Sequence, residues 1–202
     1  MGYFLAVSAF RGLAPTELAT AVCEYAREHD VGGELGDGEP GDPSTAVVYA
    51  PKDGWTVVLW PPYFDVHDVP LCSALSGTLG VVASTVHVVD DDYWVHTLCV
   101  DGRVVDRFCS EPEVRPVGWE GDAEALAREL GADAGVLRAY LTEPRPARAF
   151  PDDEFTLDDF WVFTDFWRRL GVPYPDDVGA YELAIQFADD FGDRLPETAS
   201  EP

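Results

Sequence analysis

Two histidines and an arginine stand out in a chain dominated by carboxylates. His87, His96 and Arg107 fall within residues 81–109, VVASTVHVVDDDYWVHTLCVDGRVVDRFC. Runs rich in Val, Thr, Tyr, Trp and Phe suit a pleated, half-buried surface, and Asp-Gly between two such runs is a strong hairpin signal. The segment therefore reads as a three-stranded antiparallel meander with turns at Asp91-Asp92 and Asp101-Gly102. That register sets His87 opposite His96, His96 opposite Arg107 and Thr97 opposite Asp106. Directly opposed residues have Cβ atoms about 4.5–5.5 Å apart. The spacing thus predicts a cationic row, His87–His96–Arg107, with Trp94, Leu98 and Cys109 on the same face. Val86, Val88, Val95, Cys99, Val104 and Phe108 would form the opposite, core-facing side.

Several chemistries fit such a row. An arginine fork with protonated imidazoles would hold a phosphate or carboxylate, which makes His87, Trp94, His96 and Arg107 the candidate ligand-binding residues. His87, His96 and Cys109 are also of the types that bind zinc, with His67 or Cys72 as a fourth ligand. The adjacent Arg107 would repel a cation, and no recognisable zinc spacing occurs, so no metal or other cofactor is expected. The competing structural reading is that Arg107 and the histidines neutralise neighbouring acids such as Asp101. Asp90-Asp91-Asp92 lacks the alternating acids, glycine and terminal glutamate of a calcium loop and reads as an exposed turn. Ser76 lies in no G-x-S-x-G elbow, a Cys72–His67 or Cys72–His87 pair has no support beyond residue type, and neither a Walker loop nor G-x-G-x-x-G occurs. No catalytic residue is expected.

The elements that position the row follow the order of the chain. Residues 3–10 are an apolar strand, and Pro15 opens a helix through about His29. Gly, Pro, Asp and Glu dominate residues 31–44, which read as a mobile loop. Strands at 45–50 and 55–60 flank Pro51-Lys52-Asp53-Gly54, and a short helix at 69–79 leads into the meander. Helix, strand, acidic turn, strand thus occurs twice, a pattern expected of a duplicated α-β-β unit. Helices are predicted at 122–130, 132–142, 157–170 (capped by Thr156) and 178–191. The sequence therefore predicts an α+β fold: a mainly antiparallel sheet of about six strands in residues 1–110, a helical C-terminal extension at 111–192 packed on it, and a flexible tail at 193–202. The 157–170 helix carries Trp161, Phe163 and Trp167. Its aromatic stripe is too broad for a simple surface helix, and it is expected chiefly to pack on the sheet. If one side stays exposed, these three residues are the candidate partner contacts.

Composition narrows function further. Thirteen Lys and Arg against 38 Asp and Glu leave a formal charge of −25 over 202 residues. Such a chain repels nucleic acid and anionic membranes and attracts basic partners. No apolar run reaches the length of a membrane span. There is no CxxC and no basic-then-apolar leader, so the four cysteines are expected to be reduced thiols in a cytoplasmic protein. One Lys, one Ile, one Gln and no Asn suggest a high-GC bacterial genome. The leading expectation is an acidic, non-enzymatic protein-binding module of the immunity, antitoxin, nucleic-acid-mimic or accessory kind, engaging a basic partner. The alternative is a small-ligand or anion-binding protein, or an enzyme, using the His87/His96/Arg107 face.

Overall fold

In a computed structural model, residues 2–62, 64, 70–143 and 146–188 are described. The candidate ligand His67 and the tail at 193–202 lie outside these residues. The sheet is built around its first strand. β1 (Leu5–Arg11) is apolar along nearly its whole length because both its faces are covered. Leu5, Val7 and Ala9 enter one core while Ala6 and Phe10 enter the other. A strand buried on both faces reads as a continuous hydrophobic run, without alternation. Pro15, whose missing N–H costs nothing in a first helical turn, then opens α1 (Pro15–Glu28).

β2 (Gly32–Gly36) forms within the stretch expected to be a mobile loop. Gly33, at φ 93°, lies so close to α1 that a Cβ there would come within 2.6 Å of Ala26 Cβ. The glycines that resemble loop residues in sequence are what bring this edge strand against the helix. β3 (Thr45–Tyr49) and β4 (Trp55–Leu59) form the expected hairpin, and α2 (Leu71–Leu79) ends on left-handed Gly80. The meander follows as β5 (Val82–Val89), β6 (Tyr93–Val100) and β7 (Arg103–Cys109).

Beyond β7 the chain crosses to the other side of the sheet. α3 (Ala123–Leu130) and α4 (Ala134–Leu141) begin at Asp122 and Asp133, whose carboxylates accept the first free backbone N–H groups. α5 (Val162–Leu170) starts five residues later than expected, after a series of turns, and is capped by Trp161, not by Thr156. The 178–191 helix is not formed: Tyr181–Phe187 is β8. Its order, Tyr-Glu-Leu-Ala-Ile-Gln-Phe, alternates with a period of two, and a slot between β2 and β3 supplies strand partners on both sides. Packing context overrides helical propensity here.

Among the described residues the result is an eight-stranded sheet ordered β2-β8-β3-β4-β1-β5-β6-β7, with each neighbouring pair antiparallel. The fold is α+β as expected, with eight strands in place of six. The C-terminal part is not a purely helical extension, because its last strand is internal to the sheet. α1 and α2 cover one face; α3, α4 and α5 cover the other. The two edges are protected differently. Residues 110–121 run along β7, with Cys109 N–H donating to Trp119 and Gly121 N–H to Arg107. β2 is short and bulged, a usual way to discourage edge-to-edge pairing. Among the described residues no helix is long and apolar enough to cross a membrane.

Candidate functional site

The meander forms, but its register differs from the one expected. The first turn uses three residues, Asp90-Asp91-Asp92, with Asp90 and Asp91 left-handed at φ 53° and 62°. His87 is therefore paired with Val95, and His96 with Val86. The Asp101-Gly102 turn pairs Val100 with Arg103 as expected. A bulge after Leu98 then shifts the remainder, so that His96 pairs with Phe108, Thr97 with Arg107 and Leu98 with Asp106. A one-residue slip moves a side chain to the opposite face. His96 and Trp94 consequently lie under the α3–α5 layer, while His87 and Arg107 lie on the α1–α2 side. The cationic row does not exist. Arg107 instead stacks on Trp119, with 5.1 Å from the guanidinium carbon to the ring centroid.

The same slip separates His96 from the other expected zinc ligands, His87 and Cys109. Among the described residues no three His, Cys, Asp or Glu side chains converge as a metal set would. Cys99 and Cys109, expected on opposite faces, share one, but at four residues along the strands they stand about 13 Å apart. All four cysteines are free and buried.

His96 does acquire partners that the sequence did not indicate. Its Nε2 lies 2.9 Å from Ser84 Oγ and its Nδ1 3.7 Å from Asp106 Oδ2, a Ser-His-Asp line running across the three strands. Hydrolases use such a line to activate serine beside oxyanion donors. Here Ser84 and His96 are wholly inaccessible, and Phe166 closes edge-on over the imidazole at 5.2 Å. Asp106 Oδ1 is occupied by the Asp122 N–H at 2.6 Å. The line is a buried contact between sheet and helices.

The aromatic stripe of α5 also divides. Phe163 and Trp167 are completely buried and meet edge to face, so neither is available to a partner. Trp161, at the N-cap, remains partly exposed. It forms a surface cluster with Phe160 and with Tyr3 from the segment before β1. Their ring centroids are 5.9 Å apart for Tyr3–Phe160, 5.9 Å for Tyr3–Trp161 and 5.4 Å for Phe160–Trp161. Tyr3 is 44% exposed.

A charge network fixes this ridge. The irregular segment before α5 would leave backbone donors unpaired without it. Asp153 accepts from Tyr140 Oη (2.8 Å), Phe150 N (2.9 Å) and Arg169 (2.7 Å), while Asp165 accepts from Phe155 N (2.9 Å) and Arg168 (2.8 Å). Asp159 accepts from Trp161 N at 2.8 Å, orienting the ridge directly.

A cleft opens on each side of the ridge. The larger, about 740 Å³, has Phe155, Trp161 and Tyr174 as its apolar walls, with Lys52, Asp53, Glu154, Asp165, Arg168 and Asp176 as its charged groups. Among the described residues, four carboxylates against two cations leave it two negative charges. Asp176 holds Lys52 at 2.6 Å and raises the ammonium pKa by accepting its hydrogen bond. Desolvation raises the Tyr174 phenol well above its ordinary value, so it stays protonated. The smaller cleft, about 450 Å³, is bordered by Asp92, Glu111, Glu143, Asp158 and Asp159, and none of the described residues that line it is a cation. A hydrogen bond with Thr156 keeps Asp158 below the usual carboxylate range.

This site was only partly visible in the sequence. The aromatic stripe at 157–170 points to Trp161, whereas nothing local in the sequence shows that Tyr3, Phe155 and Tyr174 meet it. The available signal was aromatic residues flanking proline-rich irregular stretches, at 143–151 and 173–175. No protein family, curated protein or solved structure matches this chain.

Proposed function

We propose that the chain is an acidic, non-enzymatic binding module that engages a basic protein, as immunity, antitoxin-like or accessory proteins do. The observation that carries this reading is the partly exposed Tyr3–Phe160–Trp161 ridge between two acidic clefts. Trp and Tyr are enriched at interface hot spots, and surrounding complementary charge accelerates encounter. The net charge of −25 acts in the same direction. The alternative, an anion or small-ligand site on His87, Trp94, His96 and Arg107, would need residues that the register places on opposite faces of the sheet.

The test is capture by the tagged protein from a lysate of its host, followed by elution in a salt gradient. A basic protein should elute, rebind the purified chain in a salt-sensitive manner, and be lost with Tyr3→Ser. A binder that is acidic, or indifferent to both salt and Tyr3→Ser, would overturn the reading.

A further inference from the structure

The larger cleft contains more specific chemistry than a generally acidic surface. Trp161 and Tyr174 meet at 75° with centroids 5.9 Å apart, making a two-walled aromatic corner, and Phe155 lies 6.5 Å from Trp161. The two cations in the lining are already neutralised, Lys52 by Asp176 and Arg168 by Asp165. Asp53 and Glu154 remain at the rim, and their carboxylates enter no hydrogen bond or ion pair among the described residues. An anion would meet two excess negative charges in this cleft, and an uncharged apolar group would leave those carboxylates unused.

A cation that is both planar and weakly hydrated fits best. Guanidinium stacks on aromatic faces and donates in a fork to carboxylates, whereas ammonium is compact and strongly hydrated. We propose that this cleft seats an arginine side chain of the basic partner, stacked in the Trp161–Tyr174 corner and held by Asp53 and Glu154. The proposal rests on the binding-module reading and names the group that reading would recognise.

The experiment follows the Trp161 indole N–H in ¹H–¹⁵N spectra of the whole chain while capped arginine amide or capped lysine amide is added. Arginine amide should shift that signal saturably, and lysine amide should need a several-fold higher concentration. Glu154→Gln and Asp53→Asn are surface changes that should leave the melting temperature in place. Each should weaken arginine binding about tenfold, the scale of one lost charge-assisted hydrogen bond. Shifts spread over the acidic surface without saturation at Trp161 would overturn the inference, as would equal, variant-insensitive binding of both amides. In those cases a basic partner captured through Tyr3 leaves the binding-module reading intact. Saturable arginine binding without any basic partner would instead remove that reading and leave the cleft as a site for a free guanidinium ligand.

Discussion

The two faces of the sheet are covered in different ways. The α1–α2 layer is largely hydrocarbon: Leu18, Val22, Leu71 and Leu75 pack on Phe10, Val48 and Val58. Buried polar contacts are few there, as where Trp60 Nε1 donates to Ser8 Oγ at 2.8 Å beside Cys72. The α3–α5 layer combines short helices with a long irregular segment and relies on aromatic rings and a carboxylate–arginine network. Regular helices satisfy their own backbone, so a layer made from them needs only apolar area. Irregular chain brings unpaired donors, and here side-chain carboxylates accept them. The candidate site lies in the second layer, where surface shape is set by charge as much as by packing.

The sharpest way to break this contrast is to remove one ring from the second layer. Phe166 is fully buried against Trp94, His96 and Tyr140. Phe166→Ala should cost about 4 kcal/mol in urea unfolding, together with the near-ultraviolet circular dichroism of the aromatic cluster. Leu18→Ala in the first layer should cost about 3 kcal/mol and leave that spectrum unchanged.

Asp153→Ala comes next, at about 3 kcal/mol, because it leaves the Tyr140 hydroxyl and the Phe150 N–H without their acceptor and, among the described residues, Arg169 with the Asp152 carboxylate alone. It should also disturb the Trp161 signal through the segment that the network holds. A loss below about 1 kcal/mol would mean that the network decorates the layer without supporting it.

Alkali should act first on the apolar layer. Burial pushes the Cys72 thiol up to about 12 and the Cys99 thiol up to about 11, from an ordinary 9.0. Above pH 9 the unfolded chain has released thiol protons that the native state retains, so stability should fall from there toward pH 11 to 12. The urea midpoint should decline over that range, and Cys72→Ala with Cys99→Ala should flatten the decline. Acid should act on the other layer. Hydrogen bonds from Arg169, and then Arg168, keep Asp152 below 3.8, so its contribution is lost as pH falls through that region. At an exposed site that loss should be slight.

The smallest effect is expected at the Ser84–His96–Asp106 line. Replacing Ser84 with Ala and His96 with Leu together removes two groups that satisfy each other and leaves Asp106 bonded to Asp122. Stability should move by no more than about 1 kcal/mol, since buried polar sets can often be exchanged for apolar ones of similar volume. A large loss would mean that Asp106 Oδ2 depends on His96 Nδ1, 3.7 Å away.

The same contrast governs what could be read from the chain. α1, α3, α4, the 45–59 hairpin and the three meander strands were legible, because caps, turn residues and apolar periodicity are local signals. The meander register was not. The left-handed Asp90 and the bulge after Leu98 each add one residue, the first putting His87 and the second Arg107 on the face opposite His96. β2 was hidden by glycines that serve close approach to α1, and β8 by apolar residues compatible with helix or strand. Of the site, Trp161 was visible as part of an aromatic stripe. Its contact with Tyr3 spans 158 residues and depends on a charge network that composition does not disclose.

The place of β8 has a consequence for synthesis. β2 and β3 emerge early from the ribosome, yet the strand that joins them is translated nearly 140 residues after β3 begins. Until then the nascent chain can complete β3-β4-β1-β5-β6-β7 but not the end of the sheet, and β3 presents an unpaired edge. Long-range pairing of this kind folds slowly and exposes strand edges to misassociation. Chains arrested before Tyr181 should therefore bind chaperones and aggregate, and release of the last strand should mark the moment at which the protein becomes resistant to both.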